Sequence, residues 1–245
     1  MGLVSDLKTL YHVAFAPVKG TSHQARLESF YSGQADAYDD FRKRLLHGRE
    51  EMMRWLPLAP GMRMLDMGGG TGSNIESLGD RLSAMQSVTI VDLCGPLLET
   101  AKARITARGW TNVDTAHTDV TVYEPAYGCN VDVVTFSYSL TMIPDWFRAL
   151  QQAWRLLKPG GLIGVVDFYI ARKWPTSGMK AHSWLQRLCW PAWFASDNVY
   201  LSWDHIPWLQ AHFEPVVLEE RLGKVPYMLG LKAPHYIFIG RKPLQ

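Results

Sequence analysis

The residues with the clearest chemical purpose lie in LDMGGGTGSN, Leu65–Asn74, where an apolar run stops at an acid and four of the next six residues are glycine. The spacing is D-x-G-x-G-x-G, formed by Asp66, Gly68, Gly70 and Gly72. Glycine permits positive φ and lets a ligand approach the backbone without a Cβ in the way. A helix opening just after such a turn offers unbonded N–H groups and the positive end of its dipole. A nucleoside triphosphate loop needs GxxxxGK[ST], and no lysine follows these glycines. A dinucleotide fingerprint needs GxGxxG, but counted from Gly68 and Gly70 the third position is Ser73. Two more acids follow. Asp92 closes a β-branched run about twenty residues past the turn, where a carboxylate can take both hydroxyls of a ribose. Asp119 closes a third short run, where a carboxylate can accept from an adenine amino group. Each acid alone reads equally as a helix cap or turn residue. Three acids at three successive strand ends, with the glycine turn first, predict an adenosyl site.

The tight glycine spacing resembles the first motif of class I S-adenosylmethionine-dependent methyltransferases, and RLLKPGG (Arg155–Gly161) resembles that family's late motif. The resemblance covers about residues 60–168. It implies S-adenosyl-L-methionine as cofactor, held by Asp66, Gly68, Gly70, Thr71 and Gly72 in the first turn. Asp92 with Leu93, Asp119 with Val120, and Ser137 complete that set from the next strands. It also implies an N-terminal helical lid placing Tyr31, Tyr38 and Arg42 over the cofactor, where an aromatic ring can face a sulfonium. Methyl transfer from a sulfonium is an in-line displacement, so the protein mainly positions the partners and excludes water. No metal is required. The candidate catalytic residues are Tyr138, just past the fourth strand, Asp167, ending the fifth, and His182. Tyr138 would shape an amine pocket; Asp167 or His182 would hold the amine or take its proton.

Positioning these residues demands strands that alternate with helices. Residues about 23–56 read as helical, with a break near Gly48. MRMLDM, SVTIVD (87–92), NVDTAHTD (112–119), VDVVTFSYSL (131–140) and LIGVVDF (162–168) read as strands. Residues 73–82, 96–109 and 145–161 read as the helices between them, the last stopped by Pro-Gly-Gly. FEPVVLEERLG and APHYIFIGRK read as a closing hairpin. The expected fold is α/β: a doubly wound, mostly parallel sheet of about seven strands with a closing antiparallel hairpin, an N-terminal helical lid and a Trp-rich helical cap insertion. The expected division is a lid over 1–58, a Rossmann-like domain over 59–168 and 205–245, and a cap over 169–204.

Composition narrows the partners. With 25 Lys+Arg against 23 Asp+Glu in 245 residues, no overall field favours nucleic acid. Three well-separated cysteines, Cys94, Cys129 and Cys189, suit neither a disulfide framework nor a zinc site. No signal peptide or membrane-spanning run is expected. Six of the ten tryptophans fall between Trp174 and Trp208. WLQRLCWPAWF lies there among Arg172, Lys173, Lys180 and Arg187. Such a segment suits either a cap packed over a small-molecule pocket or an element laid on anionic lipid.

A narrower resemblance rests on Phe30–Met52, Asp197–Pro215 and Gly223–Lys242, which look like the methyltransferase part of betaine lipid synthases. It implies three successive N-methylations of a diacylglyceryl-homoserine head group. It also implies a cytoplasmic enzyme peripheral to the inner face of the membrane, and a separate aminocarboxypropyltransferase supplying the precursor. One of Arg42, Arg44 or Arg49 would then clamp the substrate carboxylate. The alternative is a class I methyltransferase acting on a soluble amine or a quinone precursor.

Overall fold

Strand VDVVTFS (β4, Val131–Ser137) is buried at all seven positions. An unbroken apolar run of this kind belongs in the middle of a sheet covered on both faces. In the computed structural model, which describes residues 22, 24–25, 28, 44–195, 198–226 and 230–244, β4 has that place. The seven strands stand in the order β3-β2-β1-β4-β5-β7-β6. They are β1 (Arg63–Met67), β2 (Ser87–Asp92), β3 (Val113–His117), β4, β5 (Leu157–Phe168), β6 (Glu214–Lys224) and β7 (Lys232–Arg241). The first five run parallel, whereas β7 is antiparallel to both β5 and β6. The chain winds one way from β1 through β2 to β3, then returns to β4 on the other side of β1. The carboxyl ends of β1 and β4 therefore meet where the strand order reverses, the usual ligand crevice of such sheets.

Two apolar clusters are buried. One gathers Met52, Met53 and Leu56 with Ile75, Leu78 and Ile237. The other gathers Leu150, Ala153 and Leu156 with Val134, Phe136 and Phe238. The first cluster draws on α1 (Arg49–Trp55), which begins at Gly48 with φ +82°, at the expected break. Arg81 secures the far end of α1, donating to the carbonyls of Met53 at 2.6 Å and Leu56 at 3.2 Å. The lid residues Tyr31, Tyr38 and Arg42 lie outside the described residues.

The segment after the glycines is a 3-10 helix, Ser73–Ala84, broken at Gly79. It is followed by α2 (Gly95–Arg108), which Gly109 closes in a left-handed conformation, as expected. Helix α3 (Trp146–Leu156) ends five residues before the expected Gly161, and Lys158, Pro159, Gly160 and Gly161 join β5 instead. The reason is long-range pairing: Gly160 N–H donates to the Lys242 carbonyl at 2.9 Å, and Lys242 N–H to that of Gly161 at 2.8 Å. The Lys242 ammonium also caps α3, donating to the carbonyls of Trp154 and Leu157, both at 2.6 Å. Between β5 and β6 lie α4 (Trp184–Ala195) and α5 (His205–His212), and the connection before α4 is irregular. No described helix is long and apolar enough to cross a membrane.

Candidate active site

At the end of β1 the chain turns through Gly68, Gly70 and Gly72, with φ of +70°, +56° and +68°. Gly68 packs so closely on the loop after β4 that a Cβ would stand 2.5 Å from that of Ser139. Gly69 has no room either, because a Cβ would meet Asp66 Oδ2 at 2.7 Å. Asp66 itself is fully buried beneath the turn. Its carboxylate accepts from Thr135 Oγ1 at 2.7 Å, and Asn74 Nδ2 stands 3.4 Å away. Burial raises this carboxyl above its ordinary range, and those two hydrogen bonds and the Arg49 charge work against the rise. Asp66 thus braces the turn from below.

The second acid faces outward. Asp92 Oδ2 accepts the Gly70 N–H and Oδ1 accepts the Cys94 N–H, both at 2.8 Å. It lines a cavity of about 320 Å³ with Gly68 and Gly70 on one side and Leu93, Cys94 and Leu97 on another. Asp119, held by the Thr121 N–H at 2.8 Å, lines the same cavity beside Val120 and Thr121. The remaining wall comes from the loop after β4: Tyr138, Ser139, Met142, Ile143 and Pro144, with Asp145 and Arg148 at the start of α3. Burial pushes the Cys94 thiol up to about 11, so this wall residue is a neutral thiol at physiological pH.

The arrangement passes a simple fit test for an adenosyl ligand. The volume suits a small-molecule pocket. The Gly70 and Cys94 N–H groups fix the Asp92 carboxylate on the cavity wall, the kind of group that accepts from ribose hydroxyls. Leu93, Cys94, Leu97 and Val120 supply apolar walls for a purine between the two acids. Among the described residues no group of histidines, cysteines and acids is arranged to hold a metal.

The other expected site residues fall into two groups. Tyr138 reaches the cavity wall, but its hydroxyl donates to the His47 carbonyl at 2.7 Å and burial holds it well above its ordinary range. Its backbone is left-handed, φ +54°, and its ring meets Phe168 edge-on at 4.6 Å. Thr71, Ser137, Asp167 and His182 lie off that wall. Thr71 receives Arg104, and Ser137 Oγ stands 3.4 Å from Asn74 Oδ1 beneath the turn. Asp167, fully buried, accepts from Thr141 Oγ1 at 2.7 Å, from the Thr141 N–H at 3.2 Å and from the Phe168 N–H at 2.8 Å. Burial pushes its carboxyl up to about 7. It ties the end of β5 to the loop that carries Met142 and Ile143. His182 Nδ1 accepts the Ala171 N–H at 3.0 Å beside Tyr169, and burial lowers its basicity. Arg49, expected as one of three carboxylate clamps, donates instead to Ser73 Oγ and Asn74 Oδ1, both at 2.8 Å. Sequence reasoning missed Cys94, Leu97, Met142, Ile143, Pro144 and Arg148. Their only signal was adjacency to Asp92 or to the carboxyl end of β4.

Comparison with known proteins identifies the family. The model of the ubiE/COQ5 methyltransferase family matches residues 33–182. A "Ubiquinone/menaquinone biosynthesis C-methyltransferase UbiE" of Ruegeria sp. is 30% identical over 162 residues, 64% of this chain and 64% of that protein. The chain thus spans just under two thirds of that relative's length. A "Demethylmenaquinone methyltransferase" of Bacillus cytotoxicus is 25% identical over 91% of this chain and 98% of the relative. Among solved structures, the 1,6-didemethyltoxoflavin-N1-methyltransferase of Burkholderia thailandensis, with S-adenosylhomocysteine bound, superposes with a TM-score of 0.60. It is 20% identical, and the match covers 90% of this chain and 87% of that one.

Proposed function

This chain belongs to the ubiE/COQ5 methyltransferase family, and from that premise we propose that it methylates a ring carbon of an apolar quinone precursor. Its cofactor is S-adenosylmethionine, which supplies an electrophilic methyl group on a sulfonium. Asp92 and Asp119 hold the adenosyl end, and Gly68 and Gly70 let the backbone come close to it. The acceptor reading is carried by the wall after β4. Tyr138, Met142, Ile143 and Pro144 offer a flat ring apolar contact and exclude water from the reacting carbon. Asp167 keeps that wall in place by gripping Thr141. The names borne by the relatives point to the same acceptor class.

N-methylation of a diacylglyceryl-homoserine lipid is the second reading, and it rests on the resemblance of Asp197–Pro215 and Gly223–Lys242 to betaine lipid synthases. It calls for a cation beside the substrate carboxylate, and Arg49 is engaged with Ser73 and Asn74. One experiment separates the readings. The purified protein is given S-adenosylmethionine with either a reduced demethylated naphthoquinone or diacylglyceryl homoserine, and the products are weighed by mass spectrometry. The expected result is one added methyl on the quinol ring with S-adenosylhomocysteine released. Methylation of the lipid amine alone would overturn the ring-carbon assignment in favour of the second reading.

A further inference from the structure

Helix α4 is apolar on both sides, and only one side is packed. Its inner face holds Trp190 and Phe194, both buried, with the Phe194 ring 4.4 Å from that of Phe168. Its outer face presents Trp184 at 74% exposure, Leu185 at 54% and Leu188 at 62%, followed by exposed Cys189, Ala192 and Ala195. No charged residue interrupts that stripe. Trp174 and Trp203, 82% and 55% exposed, stand in the connections on either side of the helix. Leaving large apolar side chains together in water is unfavourable and marks an interaction surface.

Charge identifies the partner. From Phe168 to Ser196 the chain contains no Asp or Glu, yet it carries Arg172, Lys173, Lys180 and Arg187. Arg172 pairs with Asp204, and Lys180 is taken up by Glu220. Lys173 lies over the Trp174 ring at 5.4 Å, and neither it nor Arg187 has an acidic partner among the described residues. A second copy of this face would bring like charges together. An anionic surface with an apolar interior matches both features, since leucine inserts, tryptophan settles at the boundary and the cations meet head groups. We infer that the outer face of α4, flanked by Trp174, Trp203, Lys173 and Arg187, docks on an anionic lipid bilayer. From the inner face, a row of ring contacts runs from Phe194 through Phe168 to Tyr138 on the cavity wall. The docking itself does not depend on which acceptor is methylated.

The test is co-sedimentation of the full chain with phosphatidylcholine vesicles, with and without phosphatidylglycerol, at low and high salt. Wild-type protein should pellet with the anionic vesicles and be released by salt. Reversing both charges, Lys173→Glu with Arg187→Glu, should weaken binding by ~25-fold or more, at roughly fivefold per removed cation. Leu185→Ser with Leu188→Ser should weaken it by about tenfold. Lys173, Leu185 and Leu188 are exposed, Arg187 is half-buried, and all four lie off the cavity wall, so calorimetric affinity for S-adenosylmethionine and the melting temperature should stay unchanged and certify folding. Equal pelleting of wild type and both variants would put any lipid contact elsewhere, such as residues 1–43, and overturn the proposal. A lipid-free dimer dispersed by the leucine changes would assign the face to a second copy, and would overturn it too. Because vesicle binding is read without turnover, failure here is distinct from failure of the acceptor assignment.

Discussion

Both carboxylate oxygens of Asp92 accept backbone N–H groups, so its replacement acts on binding and on folding at once. Asp92→Ala should weaken S-adenosylmethionine by roughly 10- to 100-fold, the loss of one or two charge-assisted hydrogen bonds. It should also cost about 1–3 kcal/mol of stability by orphaning the Gly70 and Cys94 N–H groups. Asp92→Asn keeps one acceptor and should lose less of both. Titration calorimetry and urea unfolding separate the two effects, and unchanged affinity in the alanine variant would remove Asp92 from the cofactor site. Gly68→Ala tests the turn. The new methyl would enter a left-handed backbone 2.5 Å from Ser139 Cβ, so a loss of about 2–4 kcal/mol is expected from strain and overpacking together. Gly61 has the same left-handed backbone but open space around it, so Gly61→Ala should cost only about 1 kcal/mol.

At the scale of elements, the described end of the N-terminal region is held by its contacts rather than by its length. Helix α1 has seven residues, too few to persist alone. Arg81 closes its carbonyl end, and Arg221 reaches Glu51 at 2.9 Å from β6. Arg81→Ala should lower stability by about 1–2 kcal/mol, read as a shifted urea midpoint, because three carbonyls lose a cationic donor. Arg81→Lys should recover part of that, since one ammonium cannot reach all three. The strands were legible because their periodicity is local: SVTIVD occupies β2 residue for residue. The Pro-Gly-Gly stop misled because β5 begins four residues earlier than Gly161, drawn in by Lys242 some eighty residues later in the chain. Asp92 and Asp119 were readable from strand ends, but Met142 to Arg148 face them only through the strand order around β1. Asp167 stood at a strand end as well, yet its carboxylate is spent on Thr141, which only the folded packing reveals.

Across the whole molecule, buried titratable groups set how stability responds to acid. His205 is fully buried, with no hydrogen-bond partner on either ring nitrogen among the described residues, and burial lowers its pKa to about 3. His235, buried beside His47, is lowered to about 4. An unfolded histidine titrates near 6.5, so both groups favour folding fully above that pH. Their contribution drains away as the pH falls toward 4 and then 3. Asp167 works oppositely: its folded value of about 7 exceeds an unfolded value near 3.9, so its burial opposes folding more as pH rises from about 4 to 7. Two protons against one give a net loss of stability on acidification below about 6.5. His205→Leu should flatten that limb by at most about 1.4 kcal/mol per pH unit between pH 6 and 4, and Asp167→Asn should steepen it. Urea midpoints measured across that range decide both.

The cysteines divide by environment: Cys94 is buried, while Cys129 and Cys189 are exposed. Cys94 keeps its proton, with roughly one molecule in ten thousand as thiolate at neutral pH, and it is shielded from bulky electrophiles. Cys189 sits on the outer stripe of α4. Once Cys129 is changed to serine, a maleimide dye would find a single native handle there. The protein therefore carries its own attachment point for an environment-sensitive fluorophore, whose colour would report what α4 touches while the cofactor crevice stays chemically untouched.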